Sequence, residues 1–217
     1  MSVFISFEGV DGAGKSTQLQ LLLAYLEEKG VAYIFTREPG GTPLAEKIRN
    51  LLLDPANTGM SVITEAFLFA ASRSEHVNEV IRPALLAGKV VICDRYVDSS
   101  LVYQGFAGGL PVEFVGQINE MATGALKPHR TIVLDLPPEV AAARKAAASD
   151  ADRMEQKDTW FHDQVRQGYL DLAKAEPRRV KLVDASGSVD EVQAQIRKLV
   201  DEVLPRRPRG DQGSRTE

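Results

Sequence analysis

Gly9, Gly14, Lys15 and Ser16 form the first group of residues whose spacing could do chemistry: two glycines five apart, then a lysine and a hydroxyl. In Gly9-Val10-Asp11-Gly12-Ala13-Gly14-Lys15-Ser16, followed by Thr17, that spacing is the one that wraps a chain around phosphate groups. Glycines let backbone N–H groups turn inward toward phosphate oxygens. A helix starting near Lys15 adds free N–H donors and the positive end of its dipole. Lys15 has the reach for β- and γ-phosphates, and the Ser16 hydroxyl can ligate Mg²⁺. A second candidate is Asp94, which closes the apolar run Val90-Val91-Ile92-Cys93. A carboxylate so placed can serve Mg²⁺ beside a phosphate loop; the alternative for Asp94 is a helix N-cap or a surface acid. The loop upstream and the adjacent Arg95 favour the metal-side reading.

These side chains need a scaffold, and the hydropathy pattern supplies one. Residues 3–7 read as a buried strand, 15–29 as a helix stopped by Gly30, and 32–36 as a second strand. Two strands joined by a helix make a parallel βαβ unit with a right-handed crossover. Thr42 and Pro43 suit the N-cap and first residue of a following helix. Residues 62–87 make a long helical pattern that Pro83 kinks or restarts. The unalternated run at 89–94 suits a strand buried on both faces of a parallel sheet. Further strands are expected at 131–136 and 180–183, with helices at 97–104, 111–123, 138–148, 160–175 and 189–203. The alternation predicts an α/β fold, a doubly wound, five-stranded parallel sheet flanked by helices.

The chain has 217 residues, which suits one domain over residues 1–204. Residues 205–217, rich in Arg, Gly and Pro, are expected to form a disordered tail. A formal net charge of −4 argues against a nucleic-acid partner held by bulk electrostatics. The single cysteine, Cys93, excludes a disulfide framework and a cysteine metal cluster. No apolar run reaches membrane-spanning length, and the N-terminus reads as a strand, not a signal peptide. The expectation is a reduced, soluble, cytoplasmic protein with no membrane partner.

The sequence resembles the bacterial thymidylate kinases, which phosphorylate dTMP with ATP. The resemblance rests on residues 7–18 (Phe-Glu-Gly-Val-Asp-Gly-Ala-Gly-Lys-Ser-Thr-Gln), on Arg37-Glu38-Pro39-Gly40-Gly41-Thr42, on Asp94-Arg95-Tyr96, and on Ser99-Ser100-Leu101-Val102-Tyr103-Gln104-Gly105. A weaker match is Asp152-Arg153-Met154-Glu155. The phosphate loop is shared with many unrelated NTPases; the Arg-Glu-Pro-Gly-Gly-Thr turn and the Tyr-Gln-Gly stretch narrow it to this family. The resemblance implies a P-loop NTPase of the nucleoside monophosphate kinase type, with a lid over about 143–158, acting on dTMP with MgATP and assembled as a homodimer.

It also implies roles. The phosphate loop, Gly9 to Thr17, binds ATP with Arg144 of the lid, and Ser16 and Asp94 hold Mg²⁺. Arg95 resembles the arginine that grips the dTMP phosphate, a task suited to a planar guanidinium. Asp11 resembles the loop acid between donor and acceptor. Phe69 resembles the aromatic stacked on thymine, and Arg73, one helical turn on, the donor to its O4. The residue pattern alone would read Phe69 as core and Arg73 as a solvated face. Tyr103 resembles the residue packed on the deoxyribose, and Ser99 and Gln104 the polar wall near the base. Glu38, Pro39 and Gly40 shape the acceptor side, and Arg49 resembles a second phosphate-side arginine. Family members with Gly at the position of Gly12 carry several lid arginines. Here alanines fill that stretch, leaving Arg153 as the transition-state candidate, with Arg144 or Lys145 in support. Two readings with a different function stay open, a deoxynucleoside kinase with Glu38 as base and a P-loop nucleotide-binding switch protein without kinase activity; the alanine-rich lid leaves a third, a weakened paralogue of the kinase.

Overall fold

The computed structural model describes residues 2–145, 152–154 and 156–205. The expected tail from residue 206 onward lies outside them. So do residues 146–151 and Glu155 of the expected lid, and the side chain of Lys145.

The chain alternates strands and helices. In order, these are β1 (Val3–Glu8), α1 (Lys15–Glu28), β2 (Tyr33–Arg37), α2 (Pro43–Leu53), α3 (Val62–His76) and α4 (Arg82–Leu86). There follow β3 (Val90–Asp94), α5 (Val97–Ser100), α6 (Val112–Thr123), β4 (Arg130–Asp135), α7 (Pro138–Lys145), α8 (Thr159–Ala175), β5 (Val180–Asp184) and α9 (Val189–Asp201). The local chemistry explains the boundaries. Thr42 caps α2, its hydroxyl accepting from the Ala45 N–H at 3.1 Å. Asp158 caps α8 in the same way, and Ser188 and Glu191 close a capping box on α9. The break expected at Pro83 is a widening: α3 runs into a π-helical turn, Val77–Ile81, before α4. Pro83 has no N–H, and the wider turn lets the chain continue without it.

All five strands are parallel, in the order β2-β3-β1-β4-β5. Every residue of β1 is buried, as expected of a central strand covered on both faces. Alternate side chains serve opposite faces. Val3, Ile5 and Phe7 join Leu19, Leu22 and Leu26 of α1, Val165 and Tyr169 of α8, and Ile196 and Val200 of α9. Phe4 joins Val77, Ile81, Val91, Cys93 and Tyr96 on the other face. β1 has β3 on one side and β4 on the other, so the strand order reverses there, and a crevice opens beyond its carboxyl end. The register sets Phe7 and Arg37 both opposite Asp94, so three strands end level at that crevice.

A buried ion pair fixes the segment after β3. Asp98 is fully buried, and its two oxygens take the two ends of the Arg179 guanidinium at 2.6 and 2.8 Å. Thr131 of β4 adds a third donor at 2.7 Å. This tether holds α5, and the serines it carries, against the far edge of the sheet. Arg179→Ala strands the Asp98 charge in the interior. The expected loss is about 3–5 kcal/mol of unfolding free energy, measured by urea denaturation; a loss below about 1 kcal/mol would show that the tether is dispensable.

Candidate active site

The crevice is a cleft of about 500 Å³. It is lined by Asp11, Gly12, Gly14, Lys15, Ser16 and Thr17 of the loop and first helix, and by Arg37, Glu38, Pro39, Arg49, Phe69 and Arg95, with Tyr103 and Gln104. Val10 and Ala13 are buried beneath the loop, where they pack in the main core. The loop hugs the sheet at Gly9, which has a φ of 130°; a Cβ there would lie 2.6 Å from the Leu134 carbonyl oxygen. Gly12 is pressed equally hard against α7. A Cβ on it would land on the Ala141 carbonyl group, 2.9 Å from its carbon.

Lys15 is buried, and its ammonium donates to the carbonyls of Gly9 at 3.1 Å and Val10 at 3.2 Å. It also lies 3.4 Å from Asp11. Burial, and then the nearby Arg95, push its pKa down. In the same cleft, Arg95 follows β3 with a φ of 68°, unusual for a residue with a side chain. Its guanidinium pairs with Asp11 at 2.7 Å and lies over the Tyr103 ring at 5.2 Å. Arg49 donates to the Pro39 carbonyl at 2.9 Å, and Arg37 reaches the same oxygen at 2.9 Å. Burial and then this neighbour lower the Arg49 pKa. Several cationic side chains lining one open cleft suit an anionic ligand.

Asp94 Oδ1 is buried and, among the described residues, has no hydrogen-bond partner. An orphaned carboxylate oxygen in the same cleft as the Ser16 hydroxyl suits Mg²⁺, which takes one or two protein oxygens and completes its shell with water and phosphate. Among the described residues no cluster of three or more acidic, His or Cys side chains offers an all-protein cage. The Tyr103 hydroxyl is likewise buried in the cleft wall without a partner, and its ring packs on Phe161 at 6.0 Å between centroids.

The structure places two expected residues differently. Arg73 is not in the cleft wall. It is fully buried, with Nε on Glu38 at 2.6 Å, Nη1 on Ser100 at 2.9 Å and on Asn119, and Nη2 on the Tyr96 carbonyl at 3.1 Å. The physical reason is the buried Glu38 carboxylate, which needs a cationic partner and takes Arg73 on one oxygen and His76 on the other at 3.1 Å. Arg153 is also out of the cleft. Its Nη1 pairs with Glu65 at 2.6 Å and its Nε donates to the Leu52 carbonyl at 2.6 Å. Glu65 draws it in, since that buried carboxylate would otherwise hold only the Gln104 amide, at 2.8 Å. Ser99 lines the cleft next to Arg95, and its hydroxyl donates to Glu8 at 2.5 Å and accepts from Arg95 at 3.3 Å. Of the lid arginines, Arg144 lines the cleft, its Nη1 donating to the Ala185 carbonyl at 3.1 Å. Arg37, Ser100, Asp152 and Met154 line the cleft without having been assigned roles. Arg37 had a usable signal, a charge at the carboxyl end of a predicted strand; Met154 had none.

A parallel sheet with this loop at its switch point defines a phosphate-loop NTPase fold, and the guanidiniums that line the same cleft point to a kinase. The thymidylate kinase family profile matches residues 7–196. A thymidylate kinase from Symbiobacterium thermophilum is 74% identical over 210 residues, 97% of this chain and 98% of that one. One from Pseudomonas syringae pv. tomato is 50% identical over 202 residues, 93% and 96% of the two chains. The crystal structure of thymidylate kinase from Ehrlichia chaffeensis superposes with a TM-score of 0.74 at 34% identity, covering 92% of this chain and 98% of that one. The chain belongs to the thymidylate kinase family.

The contact at Gly12 is open to test. Gly12→Ala adds a methyl where the Ala141 backbone stands and imposes a side chain on a φ of 86°. It is expected to cost at least about 1 kcal/mol of strain and to raise the KM for ATP, with a smaller change in the KM for dTMP. Steady-state kinetics with each substrate varied in turn checks the split.

Proposed function

We propose that this cleft transfers the γ-phosphoryl group of ATP to dTMP, giving dTDP and ADP. The observation that carries the reading is the set of guanidiniums, Arg37, Arg49 and Arg95, that line one cleft together with Lys15 and the phosphate loop. The loop and Lys15 take the phosphates of ATP, and the guanidiniums take the phosphate of the acceptor. Asp11, bonded to Arg95 and within reach of Lys15, stands between the two and aligns them. An acceptor phosphate oxygen is already a nucleophile, so alignment and charge neutralisation suffice without a strong base. Ser16 and Asp94 would hold Mg²⁺, which draws charge off the β- and γ-phosphate oxygens when bound. Phe69 takes the thymine ring, and Tyr103 packs where a ribose 2′-hydroxyl would fall. Arg144 is the lid arginine closest to this role, while Arg153 anchors the lid segment to Glu65 and α2.

The two readings with a different function lose support. A kinase acting on a sugar hydroxyl wants a carboxylate base, and both oxygens of Glu38 are taken by Arg73 and His76. A nucleotide switch has no use for a set of guanidiniums sharing the loop's cleft. A cytoplasmic location suits an enzyme that draws on ATP and dTMP. Among the described residues no helix is long and apolar enough to cross a membrane. A homodimer suits the apolar residues left exposed on two neighbouring helices, Leu44 and Leu51 on α2 and Ile63 and Phe67 on α3. Sedimentation should give twice the chain mass, and Phe67→Glu should shift it toward one.

The reaction is tested by turnover of dTMP, dUMP and thymidine with MgATP. dTMP should be phosphorylated fastest; phosphorylation of thymidine but not dTMP would overturn the reading. The extra methyl of dTMP over dUMP should be worth about 1–3 kcal/mol in kcat/KM. Lys15→Ala should lower kcat by about 10²-fold or more.

A further inference from the structure

Glu8 is the last residue of β1 and precedes the first glycine of the loop. It is fully buried and has no place among the groups that meet a substrate. Its Oε1 accepts the Tyr96 N–H at 2.8 Å. Its Oε2 accepts two hydroxyls, Ser99 at 2.5 Å and Tyr169 of α8 at 2.8 Å. Both hydroxyls also lie beside Arg95 Nη1, at 3.3 Å for Ser99 and 3.5 Å for Tyr169. We propose that Glu8 is a positioning residue for the acceptor phosphate, acting through Ser99 and Tyr169 to hold the Arg95 guanidinium in its binding pose.

The argument is one of hydrogen-bond polarity. A hydroxyl carries one proton and two lone pairs. Ser99 and Tyr169 each give that proton to Glu8, so lone pairs remain toward Arg95, which has only donors. The carboxylate therefore sets the direction of both hydroxyls, and Arg95 is held from one side by them and from the other by Asp11. An amide at position 8 cannot do this. If its NH₂ faces Tyr96, two donors oppose each other. If it faces the hydroxyls, they must accept from it, and their protons swing toward a guanidinium that offers no acceptor. Burial, and then the charge of Asp98, raise the Glu8 pKa to about 7, against the opposing pull of Arg95 and of the two hydroxyls. The charged groups facing it are thus Asp98 from α5 and Arg95 from the end of β3, with Lys15 of α1 nearby. Protonation turns one Glu8 oxygen into a donor, so a hydroxyl beside it must accept and its own proton turns away, as with the amide; the ionised form is the one that orders Arg95.

The inference rests on Arg95 holding the acceptor phosphate, and the test separates the two. The wild-type enzyme and Glu8→Gln are compared in steady-state kinetics, with thermal melting to confirm folding. The expected result is a rise in KM for dTMP on the order of tenfold, with KM for ATP within about twofold and kcat less affected. The acid limb of kcat/KM for dTMP should also lose, in Glu8→Gln, a component near pH 7 that the wild type shows. Titration of the dTMP phosphate, near pH 6, is common to both enzymes and cancels in the comparison. Equal rises in both KM values, or a lower melting temperature with unchanged kinetics, would mean that Glu8 is only structural and would overturn the proposal. A wild type that does not turn over dTMP overturns the underlying reading as well. If Glu8→Gln does not fold, Tyr169→Phe decides. It removes one of the two directed hydroxyls and should raise the dTMP KM about fivefold; an unchanged value refutes the relay.

Discussion

Five cationic side chains, Lys15, Arg37, Arg49, Arg95 and Arg144, line a single cleft, and much of the molecule serves to keep them there against their own repulsion. Each is bound from behind. Lys15 rests on loop carbonyls, Arg37 and Arg49 share the Pro39 carbonyl, Arg95 leans on Asp11, and Arg144 donates to the Ala185 carbonyl. Burial first, and then a neighbouring guanidinium, lowers the pKa of Lys15 and of Arg49, whereas, against burial, nearby groups that include Asp11 and Asp94 hold that of Arg95 up. A reaction that brings two polyanions together needs such a field, because their mutual repulsion is the main obstacle to encounter.

Behind that front rank lies a layer of buried carboxylates. Glu8, Glu38, Glu65 and Asp98 are all buried, and each organises a different piece. Glu38 gathers Arg73 and His76 beneath the acceptor pocket, Glu65 ties the lid segment to Gln104, and Asp98 fastens α5 to the sheet edge. Buried charges of this kind contribute little net stability. What they do supply is fixed direction, which a site made of long, flexible arginines otherwise lacks.

This division explains what could be read from the sequence. The parallel sheet, the loop and the helix starts were legible because they rest on local signals: buried apolar runs, glycine spacing, and caps such as Thr42 before Pro43. Which arginine faces the ligand and which lies beneath it was not. Arg73 follows Phe69 by one helical turn, yet its partners come from residues 38, 96, 100 and 119, and no local pattern announces that meeting. Arg153 is drawn to Glu65, 88 positions away in the chain, for the same reason. Buried ion pairs form between whichever opposite charges the fold brings together, so sequence indicates an arginine's reach more readily than its partner.

The close approach of Gly12 to the Ala141 carbonyl has a historical consequence. A basic residue at position 12 and α7 in its present seat exclude each other, because both claim the same space. A lineage that puts a side chain at position 12 must therefore first, or at once, displace that helix. The two positions form a single evolutionary character, and relatives that differ at one are expected to differ at the other.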